Sequence, residues 1–268
     1  MGVSMSELIN DLRAESAELT AMIRGLDAAD WARPTPAEGW DVQDQISHLA
    51  WFDDAATTAA TDPGGFRAAL PALMARGDSA VDEIAAAARS LSPEQVLDWF
   101  ATARARSLDA FEKLDPRVRL PWYGPDMSAA SFVTARLMET WAHGQDVADA
   151  LEVARVPTAR LRHVALLGAR AMPYGFAMRG MDPPADPVRV ELTLPDGTPW
   201  SHGPEDAGDL VRGPALDFCL LVTQRCNLAD TGLSVRGRTA TAWMSVAQAF
   251  AGPPGGGRPA GQSRALTS

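Results

Sequence analysis

The sequence predicts an α+β protein: a helical bundle over residues 1–156, a small α/β domain over 157–251 and a disordered tail over 252–268. Three observations lead there. Apolar residues recur at helical spacing through the first half. A strand-like alternation with a hairpin signal appears only after a Pro-rich linker, Met181 to Pro187. Gly and Pro crowd the chain from Gly252 onward, a composition that cannot bury a core.

In the first helix Met5, Leu8, Ile9, Leu12, Leu19, Met22, Ile23 and Leu26 share one stripe. Pro34 and Pro36 break the pattern. A second helix starts at Asp41, whose side chain can cap it, and runs to about Ala60. Asp62-Pro63-Gly64-Gly65 reads as its terminator, followed by Ala-rich helical stretches to about Arg89. Ser92-Pro93-Glu94-Gln95 combines a capping Ser, Pro at the first helical position and Gln three residues on, so it opens a third long helix. Pro116 to Met127 reads as a loop, and Ser128 caps a fourth long helix to about Leu151. Four long helices suit a bundle.

Past Val156-Pro157 the pattern changes. Thr158 to Met178 reads as a helix interrupted at Pro173. Val188 to Leu194 alternates as a strand should, Asp196-Gly197 is a hairpin turn, and Thr198 to His202 is the return strand. Pro214 to Arg225 reads as a helix with Pro in its first turn, Leu233 to Arg236 as a strand, and Thr239 to Phe250 as a last helix.

Composition narrows the function. The formal net charge is −10, and Arg is scattered without a basic run, which argues against a nucleic-acid partner. No apolar run of about 18 residues exists, so no membrane span is expected. Met1 to Asn10 has neither a basic start nor an apolar signal core, so a cytoplasmic protein is expected. Cys219 and Cys226 are the two cysteines. On one helix they would sit about 10 Å apart, too far for a disulfide, and they read as buried thiols.

The chemistry concentrates on two helices. Glu139 and His143 are four residues apart, so a carboxylate and an imidazole share one helical face. Met138 and Trp141 beside them are apolar, and an ionised Glu in such surroundings needs a partner or a cation. His48 lies in the apolar run Ile46-Ser47-His48-Leu49-Ala50-Trp51. Two His and one Glu make a zinc set with an open fourth position. Taken singly, His48 also suits a hydrogen-bonded core residue, and the Glu139/His143 pair a surface pair, so spacing leaves both readings open. Asp146 is either an outer partner that holds a ligating His or a solvated helix residue. His163 reads as a helix-surface residue and His202 as a loop residue.

The run Gly39-Trp40-Asp41-Val42-Gln43-Asp44-Gln45-Ile46-Ser47-His48-Leu49-Ala50 resembles the Trp-to-His helix of the DinB-like superfamily. Arg136-Leu137-Met138-Glu139-Thr140-Trp141-Ala142-His143-Gly144-Gln145-Asp146 resembles its second metal-binding helix. The His, then Glu-x-x-x-His, order and the Pro121 to Ser128 loop resemble the mycothiol-dependent maleylpyruvate isomerase branch. Within it the chain is most similar to an actinobacterial metal-binding subgroup that also carries a "wyosine base formation" label.

The resemblance implies a DinB-like four-helix bundle followed by a small sterol-carrier-like α/β domain, with zinc or a similar divalent ion on His48, Glu139 and His143. It implies that the metal activates the thiol of mycothiol, or of a related small thiol, toward a small electrophilic substrate, by isomerisation or S-transfer. It also implies Arg225 as a carboxylate anchor, a task suited to a guanidinium fork; a helix-end Arg favoured by the dipole is the alternative. The Pro-rich linker and the Trp200-Ser201-His202-Gly203-Pro204 segment depart from the simplest isomerase, which puts maleylpyruvate itself in doubt. Two other functions stay open: a hydrolase or tailoring enzyme of secondary metabolism using metal-bound water, and a non-catalytic small-molecule binder.

Overall fold

A computed structural model describes residues 4–262. The chain divides into two compact units, Met1–Val153 and Ala154–Ser268.

The first unit is helical. Helix α1 (Met5–Ile23) is capped by the Ser4 side chain. A short helix α2 (Ala28–Trp31) leads to α3 (Val42–Thr61), where Asp41 accepts from the Asp44 amide and Asp44 reaches back to the Asp41 amide. This reciprocal cap satisfies two donors that the first turn would otherwise leave open. Asp62 ends α3, yet its side chain accepts from the Gly65 amide and starts α4 (Pro63–Met74), with Pro63 in the first turn. The expected terminator is therefore also an initiator, because Pro costs nothing where the amide has no helical partner. Helices α5 (Ala80–Ala88) and α6 (Pro93–Glu112) follow, the latter with the Ser92/Gln95 box formed. The segment expected to be all loop contains a two-rung hairpin of β1 (Arg119–Leu120) and β2 (Met127–Ser128). Ser128 then caps α7 (Ala129–Leu151).

The four long helices pack in a ring, α1 on α7, α7 on α3, α3 on α6 and α6 on α1. A shared core runs through Leu19, Ile23, Ile46, Leu49, Val96, Phe100 and Val147. Full burial of each such apolar side chain is worth about 1.5–3 kcal/mol.

The second unit holds helices α8 (Leu161–Arg170) and α9 (Met172–Ala177), strands β3 (Val188–Thr193), β4 (Pro199–His202) and β5 (Asp209–Pro214), helix α10 (Ala215–Val222), strand β6 (Ser234–Arg236) and helix α11 (Arg238–Val246). The sheet order is β4-β3-β5-β6, with β3 and β5 parallel and the outer pairs antiparallel. Val188, Val190 and Leu192 turn one face of β3 inward. Helices α8 and α10 approach so closely that a Cβ on Gly168 would lie 2.6 Å from Val222. The expected helix break falls at Ala171, and Pro173 opens α9 instead of interrupting a helix. Strand β5 was not expected from the sequence. The tail expected to be disordered carries no helix or strand from Gly252 to residue 262. It is bonded locally: the Arg258 carbonyl accepts from Asn227 at 3.1 Å, and the Gly261 amide donates to Asp230 at 2.8 Å. Residues 263–268 lie outside the described residues.

Among the described residues no helix is long and apolar enough to cross a membrane.

Candidate metal centre

His48 projects from α3, and Glu139 and His143 from successive turns of α7. Their ligand atoms all lie within 4.8 Å of one another. His143 Nε2 is 3.1 Å from Glu139 Oε2, and the two imidazole centroids are 4.5 Å apart. His48 is 9% exposed, and the His143 and Glu139 side chains 12% and 22%. The cluster is therefore sheltered but reachable.

The remaining polar edge of His143 is fixed. Its Nδ1 lies 2.5 Å from the side-chain oxygen of Gln45, a fully buried residue of α3. Aromatic rings surround the pair of imidazoles. Trp40 stacks on His143 at 6.1 Å and 17°, and its indole donates to Asp82 at 2.9 Å. Phe52, one turn after His48, lies 4.5 Å from that imidazole. Trp122 and Tyr123, from the segment between β1 and β2, pack on Phe52 at 6.0 and 5.7 Å. Burial pushes the Tyr123 hydroxyl far above its ordinary range, so it stays protonated. Arg67 holds this segment through two bonds to the Asp126 carboxylate, at 2.7 and 3.1 Å.

The residues fit a divalent ion. Zinc favours imidazole and carboxylate donors, and tetrahedral bonds of about 2.0–2.1 Å put ligand atoms about 3.3 Å apart. The 3.1 Å between His143 and Glu139 is close to that edge. With Nδ1 facing an amide oxygen, a neutral His143 would present its Nε2 lone pair to a carboxylate oxygen. Two acceptors at that distance repel unless a proton or a cation lies between them.

Residues 12–148 match the family model of the mycothiol maleylpyruvate isomerase N-terminal domain. The chain belongs to this family. Uncharacterised proteins from two strains of Mycobacterium tuberculosis are 49% identical to it over 251 residues, spanning 93% of this chain and 97% of theirs. A crystal structure of the mycothiol-dependent maleylpyruvate isomerase superposes with a TM-score of 0.59 at 17% identity, over 87% of this chain and 93% of the other. A histidine-to-alanine mutant of that isomerase gives 0.57 at 16%, over 83% and 90%. At such identities the likeness shows a common fold.

In this member of the family the other singled-out residues fall as follows. Asp146 is buried, which removes its reading as a solvated helix residue, and the place on His143 Nδ1 is held by Gln45. His163 is 1% exposed inside the second unit, not on a helix surface, because its face of α8 is the one that packs. His202 ends β4, paired with Val190, instead of lying in a loop. Arg225 follows α10 in the second unit, with Nη1 donating to the Thr223 carbonyl at 2.5 Å. Cys219 and Cys226 are free and buried.

Sequence reasoning did not single out Gln45. Its signal is present: three residues before His48, it shares that residue's helical face.

Proposed function

We propose that this protein is a metal-dependent enzyme that uses a low-molecular-weight thiol, such as mycothiol, either to isomerise a small electrophilic substrate or to transfer the thiol sulfur onto it. The observation that supports this most is the two-His, one-Glu set, sheltered by the bundle yet partly exposed, which leaves a position for a further ligand. A divalent ion, zinc by donor preference, would lower the pKa of a coordinated thiol and keep it as thiolate near neutral pH. The chain's own contributions are separable. His48, Glu139 and His143 hold the ion. Trp40 and Phe52 pack on the imidazoles and limit water. Arg225 remains proposed as a carboxylate-binding guanidinium of the second unit.

The test replaces zinc with cobalt and titrates mycothiol or a mimic. Thiolate ligation adds a sulfur-to-metal charge-transfer band and a short metal–sulfur distance by X-ray absorption. If neither appears at saturating thiol while the protein turns over a substrate, metal-bound water is the nucleophile and the thiol reading is wrong.

A further inference from the structure

We propose that Gln45 is a positioning residue that fixes His143 as the Nδ1–H tautomer, so that Nε2 is the metal-ligating nitrogen. The inference rests on the metal reading above and goes one layer outward from it.

Donor and acceptor chemistry along the relay fixes the tautomer. The Thr35 hydroxyl lies 2.9 Å from the Trp40 carbonyl, which can only accept, so the hydroxyl donates there. The same hydroxyl oxygen lies 2.9 Å from Gln45 Nε2 and, its single proton used, accepts from the amide. That orients the amide. Its Oε1 faces His143 Nδ1 at 2.5 Å, so Nδ1 must donate. In a neutral imidazole the other nitrogen then carries the lone pair, and it faces Glu139 at 3.1 Å.

Reversing the amide breaks the chain. Thr35 would have to donate to Gln45, leaving a hydroxyl lone pair 2.9 Å from the Trp40 carbonyl oxygen. His143 Nδ1 would become an acceptor, and its proton would move to Nε2. The pair with Glu139 would then be an ordinary hydrogen bond with no room for a metal. The relay from Trp40 through Thr35 and Gln45 thus decides whether His143 and Glu139 form a hydrogen-bonded pair or a ligand pair. A neutral amide does this inside the bundle without adding a buried charge. Gln45 is fully buried and sits on the same helix as His48, so the relay and the third ligand move together.

The test has two independent readouts. In metal-free protein, at a pH where the ring is neutral, nitrogen NMR of His143 should show a protonated Nδ1 and an unprotonated Nε2. Gln45→Leu should lose that preference. Zinc affinity, by competition with a chelator, should fall about 10- to 100-fold in Gln45→Leu, the usual effect of losing an outer partner. Gln45→Glu, which still accepts from Nδ1–H, should stay within a few-fold of wild type. Thr35→Val, at a partly exposed position less demanding of the fold, should fall between wild type and Gln45→Leu. A protonated Nε2 in the wild-type protein, or zinc affinity in Gln45→Leu within about twofold of wild type, overturns the proposal. Wild-type protein that shows the Nδ1–H tautomer but binds no zinc instead overturns the metal reading, and with it the ligating role.

Discussion

Asp53 is the residue whose loss the bundle should tolerate least. It is fully buried on α3, and its two oxygens accept from Arg104 Nε at 2.6 Å and Arg136 Nε at 3.0 Å. Arg104 also donates to Thr140 at 3.0 Å and to Ser16, and Arg136 donates to the Leu49 carbonyl at 3.1 Å. Burial pushes the Arg104 guanidinium below its ordinary range, and the Asp53 charge opposes that shift. Asp53→Ala removes the carboxylate that contacts both guanidiniums, whose residues are 4% and 3% exposed. Breaking one buried ion pair costs about 3–5 kcal/mol, from a typical total stability of about 5–15 kcal/mol. With a urea slope of about 2 kcal/mol per molar, the midpoint should fall by about 2 M. Urea unfolding followed by circular dichroism measures this. A fall below about 0.5 M at unchanged slope would refute the claim that the network depends on its shared carboxylate. A triple variant, Asp53→Leu with Arg104→Met and Arg136→Met, should regain part of the loss, because it removes the three charges together, although buried Glu15 then loses the Arg104 charge beside it.

Metal-replete wild-type protein should carry about one zinc per chain by elemental analysis; His143→Ala should lose it, while His163→Ala, removing a buried side chain of the second unit, should cost stability but keep the metal. Burial holds the Cys219 thiol well above its ordinary range and pushes Cys226 up to about 12, so neither should react with a thiol reagent in folded protein at mildly alkaline pH, whereas both should after denaturation; labelling of folded protein within minutes would contradict the burial. Burial, with the Arg170 and Arg189 charges, depresses the His202 imidazole below 6.5. The folded state then binds fewer protons than the unfolded one between the depressed value and 6.5, so stability should rise with pH across that window and fall as pH drops through it. That slope should be absent from chemical-denaturation curves of His202→Gln.

What the sequence disclosed was what is local. Asp41, Ser92 and Ser128 announce their helices because a cap is a bond between residues two or three apart. Glu139 and His143 announce each other because one turn of helix brings them together. Strand β5 was hidden because Asp209-Leu210-Val211-Arg212-Gly213-Pro214 has little alternation and ends in two strand-breaking residues. It is a strand because β3 and β6 offer it hydrogen bonds on both edges. His163 misled for a similar reason: the face of α8 that packs is chosen by the rest of the second unit.

The facing of His48 against Glu139 and His143 is also non-local, and its physical cause lies beside the site. Arg136 is three residues before Glu139 on α7, and it donates both to Asp53, five residues after His48 on α3, and to the carbonyl of Leu49, the residue next to His48. These spans correspond to about 4.5 and 7.5 Å of helix rise. One guanidinium therefore ties α7 to α3 at two heights within two turns of the ligands. Slipping either helix by one turn, about 5.4 Å, would break both bonds and strand a buried charge. A shift large enough to part His48 from the other two ligands is thus expensive even without a metal. On this account the candidate site needs no ion to assemble it: the ion network sets the register of the two helices, and the proposed Thr35–Gln45 relay would set which nitrogen His143 presents.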